Sequence, residues 1–326
     1  MSRSNTAAVD ATPPFVAAIG NGIQVVDTGF HRPLFDAAYL IVERGRAAFV
    51  DTGTNDAVPR LLAALAAARI GVAAVDYVIA THVHLDHAGG AGLLMQRLPN
   101  ARLVVHRRGA RHLVDPRHLV RSATGVYGED EIARSYGALV PVAAERVVTT
   151  AEGTTIELAG RPLRFLDTPG HAMHHHCIWD EASRSFFTGD TFGLSYRDFD
   201  TAEGPWVMPT TTPVQFQPDA LRHSIERMLA YAPARMHLTH FGCVGDVPRL
   251  GALLLAQLDE VVAFAGTTTP GPERHAELVR GLAAIHVTSL RAHGVTLADE
   301  RIRELLALDL ELNAQGLAIW LDRRKH

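Results

Sequence analysis

The chain lacks most features that mark secreted, membrane-bound and nucleic-acid-binding proteins. It has two cysteines, Cys177 and Cys243. That is too few for a disulfide framework and suits a reducing cytoplasm. Aromatic residues are 6% of the total. Lysine and arginine number 31 against 35 acidic residues, leaving a formal net charge of −4 with no basic block. A broad nucleic-acid footprint is therefore excluded from the expectation. No apolar run reaches the ~18 residues expected of a membrane-spanning helix. The greasiest stretch, Leu61 to Ala68, is alanine-rich and bracketed by Arg60 and Arg69. Met1 to Pro14 is polar and small, without the apolar segment of a signal peptide. These absences describe a cytoplasmic protein with a small-molecule partner, no membrane and no nucleic acid.

Histidine is plentiful, at 18 of 326 residues, and several histidines sit close together, which points to metal or proton chemistry. The length favours one large domain with a smaller appendage. Residues 1–20 read as a loose N-terminal leader. Ile23 to Asp27 reads as a strand, and Ala37 to Val42 and Ala47 to Val50 as a hairpin turning at Arg44-Gly45. Val75 to Ala80 is a buried strand that delivers the chain to Thr81-His82. Residues 107–145 carry no clear strand and read as short helices and loops, a composition common in lids. A second set of strands begins at Val147. From Val247 three stretches have helical apolar spacing: Leu250 to Phe264, His275 to Ala292 and Thr296 to Leu312. Thr296 and Asp299 suggest a capping box for the last. Strands then helix, twice, predict an α/β fold of two halves packed sheet against sheet. A catalytic domain over 21–246 and a helical C-terminal extension over 247–326 complete the expectation.

The chemistry centres on Thr81-His82-Val83-His84-Leu85-Asp86-His87-Ala88-Gly89-Gly90. Three imidazoles and a carboxylate follow a buried strand, and a tight loop there can aim them at one point. Imidazole nitrogen suits zinc, iron and related ions, and carboxylate oxygen compensates their charge. The paired glycines let the next helix start close to the site. A plain polar loop is disfavoured, because burying so many ionisable groups without a cation is costly. Three later segments each follow a strand: Asp167-Thr168-Pro169-Gly170-His171, Thr188-Gly189-Asp190 and Leu238-Thr239-His240.

Together these four segments resemble the signature of the metallo-β-lactamase-fold superfamily, over roughly residues 20–245. The resemblance implies a four-layer αββα sandwich with a two-metal site at one sheet edge. It assigns His82, His84 and His171 to the first ion, Asp86, His87 and His240 to the second, and Asp190 to both. The cofactors implied are two divalent ions, zinc foremost, with iron or manganese as alternatives. It implies hydrolysis of an ester, thioester or lactone by water activated between the ions, with Asp86 and Asp190 as catalytic residues and Asp86 accepting and returning the proton. Tyr196, shortly after Asp190, resembles a tyrosine that lactonase relatives use. Where true β-lactamases often carry a cysteine ligand this chain has Asp190, so antibiotic hydrolysis is disfavoured. Glyoxalase II-like thioesterases share nearly the whole motif and a helical C-terminal region, but their basic glutathione-binding residues have no clear match. Phosphodiester cleavage and mono-iron persulfide oxidation are the alternatives within the superfamily. A homodimer is a further option.

Around the ligands, Asp51 is the expected acceptor for a ligand's outer N–H, in competition with a plain turn-forming role. His175 is the expected supporter of the site among His174, His175 and His176, with none of the three a ligand. Cys177 and Cys243 read as small apolar residues. His106, His112 and His118 read as surface residues near the lid. Phe192, Tyr196, Phe199, Trp206 and Phe241 are candidates to line the cleft. The stripe Ile302, Leu305, Leu306, Leu310 and Leu312 reads first as a packing face, with a roof over the cleft as the sharper option.

Overall fold

The computed structural model of the protein describes residues 12–211 and 214–324. Among them thirteen strands form two sheets. The first, in spatial order, is β1 (Val16–Gly20), β2 (Ile23–Asp27), β3 (Ala37–Glu43), β4 (Arg46–Val50), β5 (Val75–Ala80), β6 (Arg102–His106) and β7 (Val147–Thr150). The second contains β8 (Thr155–Leu158), β9 (Arg161–Asp167), β10 (His176–Asp180), β11 (Ser185–Gly189), β12 (Arg235–Leu238) and β13 (Gly242–Val244), with β13 and β8 at its edges.

Alternation along the strands decides the layering. Tyr39 and Ile41 of β3 point inward and meet Phe165, Ile178 and Phe187 of the second sheet. Leu40 between them points outward, onto a cluster holding Phe49, Leu61 and Leu65. Helices Val58–Ala67 and Ala91–Arg97 cover that outer face. On the opposite side Leu166, Phe186 and Met236 pack with Leu221 and Ile225 of helix Pro218–Leu229. The result is the αββα sandwich expected from the sequence. The β3–β4 hairpin also forms as expected. Arg44 and Gly45 have φ of 46° and 76°, the left-handed pair that a two-residue turn between twisted strands demands.

Three readings need correction. Residues 16–20 are not loose leader: β1 pairs antiparallel with β2, Val16 opposite Val26. Residues 1–11 of that segment lie outside the described part of the chain. The helix expected over 296–312 is two, Asp299–Leu305 and Ala307–Arg323, broken at Leu306. Its capping box does not form. Ala298 is the N-cap, without a side-chain bond, and the Asp299 carboxylate accepts from Arg291 at 2.5 Å instead. Lastly, helix Val247–Thr267 is long and apolar enough to cross a membrane by length and composition, contrary to the sequence reading. In this fold its Leu250, Leu254, Leu258 and Val261 join the core cluster of Phe186 and Met236. Helix Arg274–Ala292 and the two last helices share that same cluster through Leu282, Ile302 and Leu317.

Strand direction places the site. β4 and β5 run parallel, so Val50-Asp51 and Ala80-Thr81 emerge at one edge. β9 and β11 are both antiparallel to β10, and β11 is parallel to β12. The ends of β9, β11 and β12 therefore also share one edge, where Asp167, Gly189 and Leu238 lead into the loops.

Candidate metal centre

The loop after β5 holds His82, His84, Asp86 and His87, with the last two on a single helical turn, Leu85–Ala88. The helix that follows can start close by because Gly90 has no side chain. A Cβ there would stand 2.6 Å from the Thr54 carbonyl oxygen. Gly189 does the same from the other sheet. Its φ is 47°, and a Cβ would stand 2.5 Å from His175 Nε2 and 2.8 Å from Thr81 Oγ1.

The structure brings all seven sequence-predicted metal residues together. His82, His84, His171 and Asp190 form one group with potential ligand atoms within 4.8 Å of one another, and Asp86, His87 and His240 form a second. Asp190 lies between the groups. Its Oδ2 is 3.3 Å from His171 Nε2 and 4.0 Å from His82 Nε2. Its Oδ1 is 3.2 Å from His87 Nε2 and 3.7 Å from His240 Nε2. Asp86 Oδ2 approaches His240 Nε2 to 3.3 Å and His87 Nε2 to 3.6 Å. One carboxylate thus turns one oxygen to each group.

The outer nitrogens fix which inner nitrogen faces the centre. His87 Nδ1 pairs with Asp51 Oδ2 at 2.9 Å, His171 Nδ1 with Thr210 Oγ1 at 2.7 Å, and His240 Nδ1 donates to the Phe35 carbonyl at 3.2 Å. Each leaves Nε2 pointing inward. His84 instead turns Nδ1 inward, 3.0 Å from His171 Nε2. Asp51 does more than hold His87. It accepts from the Thr81 amide at 2.8 Å and from Thr239 Oγ1 at 2.9 Å, so one buried carboxylate ties the ligand loops of both sheets. Its φ of 55° is one that aspartate tolerates better than most residues. His175 supports the other side, with Nε2 accepting from the Asp190 amide at 3.2 Å and Nδ1 paired with Thr168 Oγ1 at 2.8 Å.

The donor set fits a pair of divalent cations. His82 Nε2, His87 Nε2 and Asp190 Oδ1 are buried and have no hydrogen-bond partner among the described residues. Three such atoms converging in one place are costly unless something cationic pairs with them. Charge is unevenly distributed. Burial lowers the pKa of His84 to about 3. It also lowers that of His171, to about 4, against the opposing pull of Asp190. Burial acts on His240 too, but the carboxylates of Asp190 and Asp86 override it and raise its pKa to about 9. His87 is likewise raised, by Asp190, Asp86 and Asp51. Asp190, though buried, is held well below the usual range by His87, His171 and His240.

Above this floor lies a cavity of about 360 Å³. His84, Asp86, His171, Asp190 and His240 form its base, and Phe30, Phe35, Leu119, Tyr127, Tyr136 and Leu312 give apolar walls. Arg111, His112 and His118 add polar wall; His118 is exposed, as expected from the sequence, and His112 is partly buried. The aromatics expected to line the cleft do not. Phe192, Phe199 and Trp206 are fully buried in the core, and the lining rings come from residues 30–35 and 127–136. Tyr196 is also absent from the lining. Its ring stacks on Phe35 at 5.1 Å and its hydroxyl donates to Asp309 Oδ1 at 3.1 Å, so it reaches no ligand. Thr210, Phe35 and Asp309 were missed from the sequence. Asp309 alone left a signal: it is an acid on the buried stripe of the last helix.

Residues 31–240 match the family model described as the metallo-beta-lactamase superfamily. The chain belongs to this superfamily. Among relatives it is 29% identical over 174 residues to a metallo-beta-lactamase fold-containing protein of Sulfurisphaera tokodaii, covering 52% of this chain and 62% of the relative. It is 30% identical over 152 residues to the hydroxyacylglutathione hydrolase of Stenotrophomonas maltophilia, covering 47% of this chain and 44% of the relative. It is 29% identical over 116 residues to the thioesterase pkgB of Emericella nidulans, covering 36% and 24%. These matches span less than two thirds of each relative. Two solved superfamily structures share the fold. One is from Sulfolobus tokodaii, with TM-score 0.63, 20% identity, and 92% of this chain and 99% of that one covered. The other, from Thermus thermophilus, has TM-score 0.65, 22% identity, and 85% and 95% covered.

Proposed function

We propose that the protein is a dinuclear-metal hydrolase acting on an ester, thioester or lactone of a small organic molecule. The observation that carries this reading is the stance of Asp190, one oxygen toward each ligand group at the floor of a ligand-sized cavity. When bound, two divalent ions lower the pKa of a water between them toward neutrality and polarise the carbonyl under attack. His82, His84 and His171 would hold one ion, Asp86, His87 and His240 the other, and Asp190 both. Asp86 is also placed to take and return a proton, because it lies in the cavity floor beside His240. The apolar walls suit an acyl chain, and Arg111 in the wall suits an anionic group. The names of the hydroxyacylglutathione hydrolase and thioesterase relatives support ester or thioester chemistry.

The test is a metal-stripped preparation reloaded with zinc, manganese or iron and given a panel of lactones, thioesters, esters and phosphodiesters. Hydrolysis of one of the first three classes, lost on stripping and restored on loading, is the expected outcome. Full activity of the stripped chain, or turnover of phosphodiesters alone, overturns the reading.

A further inference from the structure

The helical C-terminal layer contributes a wall to the cavity through Leu308, Asp309 and Leu312. Asp309 differs from its surroundings. It sits on the buried stripe of helix Ala307–Arg323, among Leu306, Leu310 and Ala314, and is 8% exposed. One carboxylate oxygen is engaged, by the Tyr196 hydroxyl at 3.1 Å. The other, Oδ2, is buried and has no hydrogen-bond partner among the described residues.

The carboxylate is also held in place. Tyr196 is clamped between Phe35, stacked at 5.1 Å, and the Arg32 guanidinium, 4.8 Å from its ring. Arg32 is itself engaged by Asp198 at 2.8 Å. Burial pushes the Asp309 pKa up to about 6. A buried, unpaired acceptor on a residue that lines a binding cavity is costly without a ligand and discriminating with one. Sites of this kind reject analogues that lack the matching donor.

We propose that Asp309 is a specificity residue, whose free oxygen accepts a hydrogen bond from a hydroxyl or N–H group on the apolar part of the substrate. The inference rests on the hydrolase reading for what occupies the cavity. It narrows the substrate to an acyl compound that carries a donor away from the bond cleaved. Tyr196 then serves as a positioning residue, orienting Asp309 from behind.

The test uses the full, metal-loaded chain and separates binding from turnover. Calorimetry measures binding of unsubstituted, ω-hydroxy and ω-amino carboxylic acids of roughly four to eight carbons, a span matched to a cavity of this class. The corresponding aryl esters report kcat and KM. Wild type should bind the donor-bearing acid of one chain length about ten- to a hundredfold more tightly than its unsubstituted counterpart. Asp309→Leu should abolish that preference, bringing the donor-bearing and unsubstituted acids, and the KM values of their esters, to within about twofold of each other. Asp309→Asn keeps the shape and a partner for Tyr196, and carries the test if the leucine variant does not fold. It should weaken the ω-amino acid by about tenfold. Preference for the hydroxyl or for the ammonium probe identifies the donor. No preference in wild type at any length, or a preference unchanged in both variants, overturns the proposal. Binding preference without hydrolysis of any ester, thioester or lactone would leave Asp309's role standing and sink the hydrolase reading. Hydrolysis without preference would do the reverse.

Discussion

The floor and the roof of the cavity are built on different physical terms. The floor comes from strand ends and the tight loops after them. Nearly every group there is pinned: Asp51 to His87, Thr81 and Thr239, Thr210 to His171, the Phe35 carbonyl to His240. The roof comes from the helix Arg117–Tyr127, from Tyr136 and from the last helix. It is held largely by apolar contact, with buried polar ties from Tyr196 to Asp309 and between Thr211 and Asn313. Hydrogen-bonded strand ends fix atoms closely enough for chemistry. Packed helices set volume and polarity and tolerate change more easily. The difference implies that damage to the floor should destroy the reaction, whereas damage to the roof should redirect it.

The largest effect expected is at the floor's centre. Asp190→Ala removes the oxygens facing both ligand groups, and hydrolytic activity should fall on the order of a thousandfold or more. Steady-state kinetics and metal analysis of the same sample check it. An active, fully loaded variant would break the contrast at once. Next comes Asp51→Ala, which touches no substrate but releases His87 and both loops. Metal affinity should drop roughly 10- to 100-fold, the usual cost of losing an outer partner of a ligand. Competition with a chelator measures it.

These two variants probe the part that is legible in the amino-acid sequence. The histidine loop announces itself locally, because ionisable groups crowded after a buried strand are costly unless a cation gathers them; the three later segments gain meaning only in series, and Asp51 reads equally as a turn-former. The β3–β4 hairpin is also legible locally, in its Arg44-Gly45 turn. The roof is not. Phe30 and Phe35 line the cavity only because a loop folds across the sheet edge. Tyr196 follows Asp190 closely in sequence yet turns to Asp309, since its ring fits between Phe35 and Arg32. The strand Val16–Gly20 is hidden in an alanine- and proline-rich segment and exists because β2 offers it an edge. Each depends on contacts between distant residues, which periodicity cannot show.

A smaller effect is expected at the roof. Leu312→Ala removes apolar wall, and KM for long-chain esters should rise about tenfold with kcat and metal content unchanged. A fall in metal content instead would show that the roof shapes the floor. The smallest effect at neutral pH belongs to His286, buried in the C-terminal layer beside Gln257 at 3.2 Å. Burial lowers its pKa to about 4, against ~6.5 when unfolded. The folded state therefore favours the neutral ring. Its contribution is intact above pH ~6.5 and is lost as pH falls toward the folded value, by about 1 kcal/mol for the first pH unit. In His286→Leu, denaturant melts at a series of pH values should show a flatter acid limb and unaltered kcat. A limb as steep as in wild type would assign the acid sensitivity elsewhere.

The most direct test of a shared, two-ion floor is a crystal of the active enzyme measured for anomalous scattering and, in parallel, for metal content. The expected result is about two divalent ions per chain, with one peak on each side of the Asp190 carboxylate. A single peak, or none, in fully active protein would contradict it.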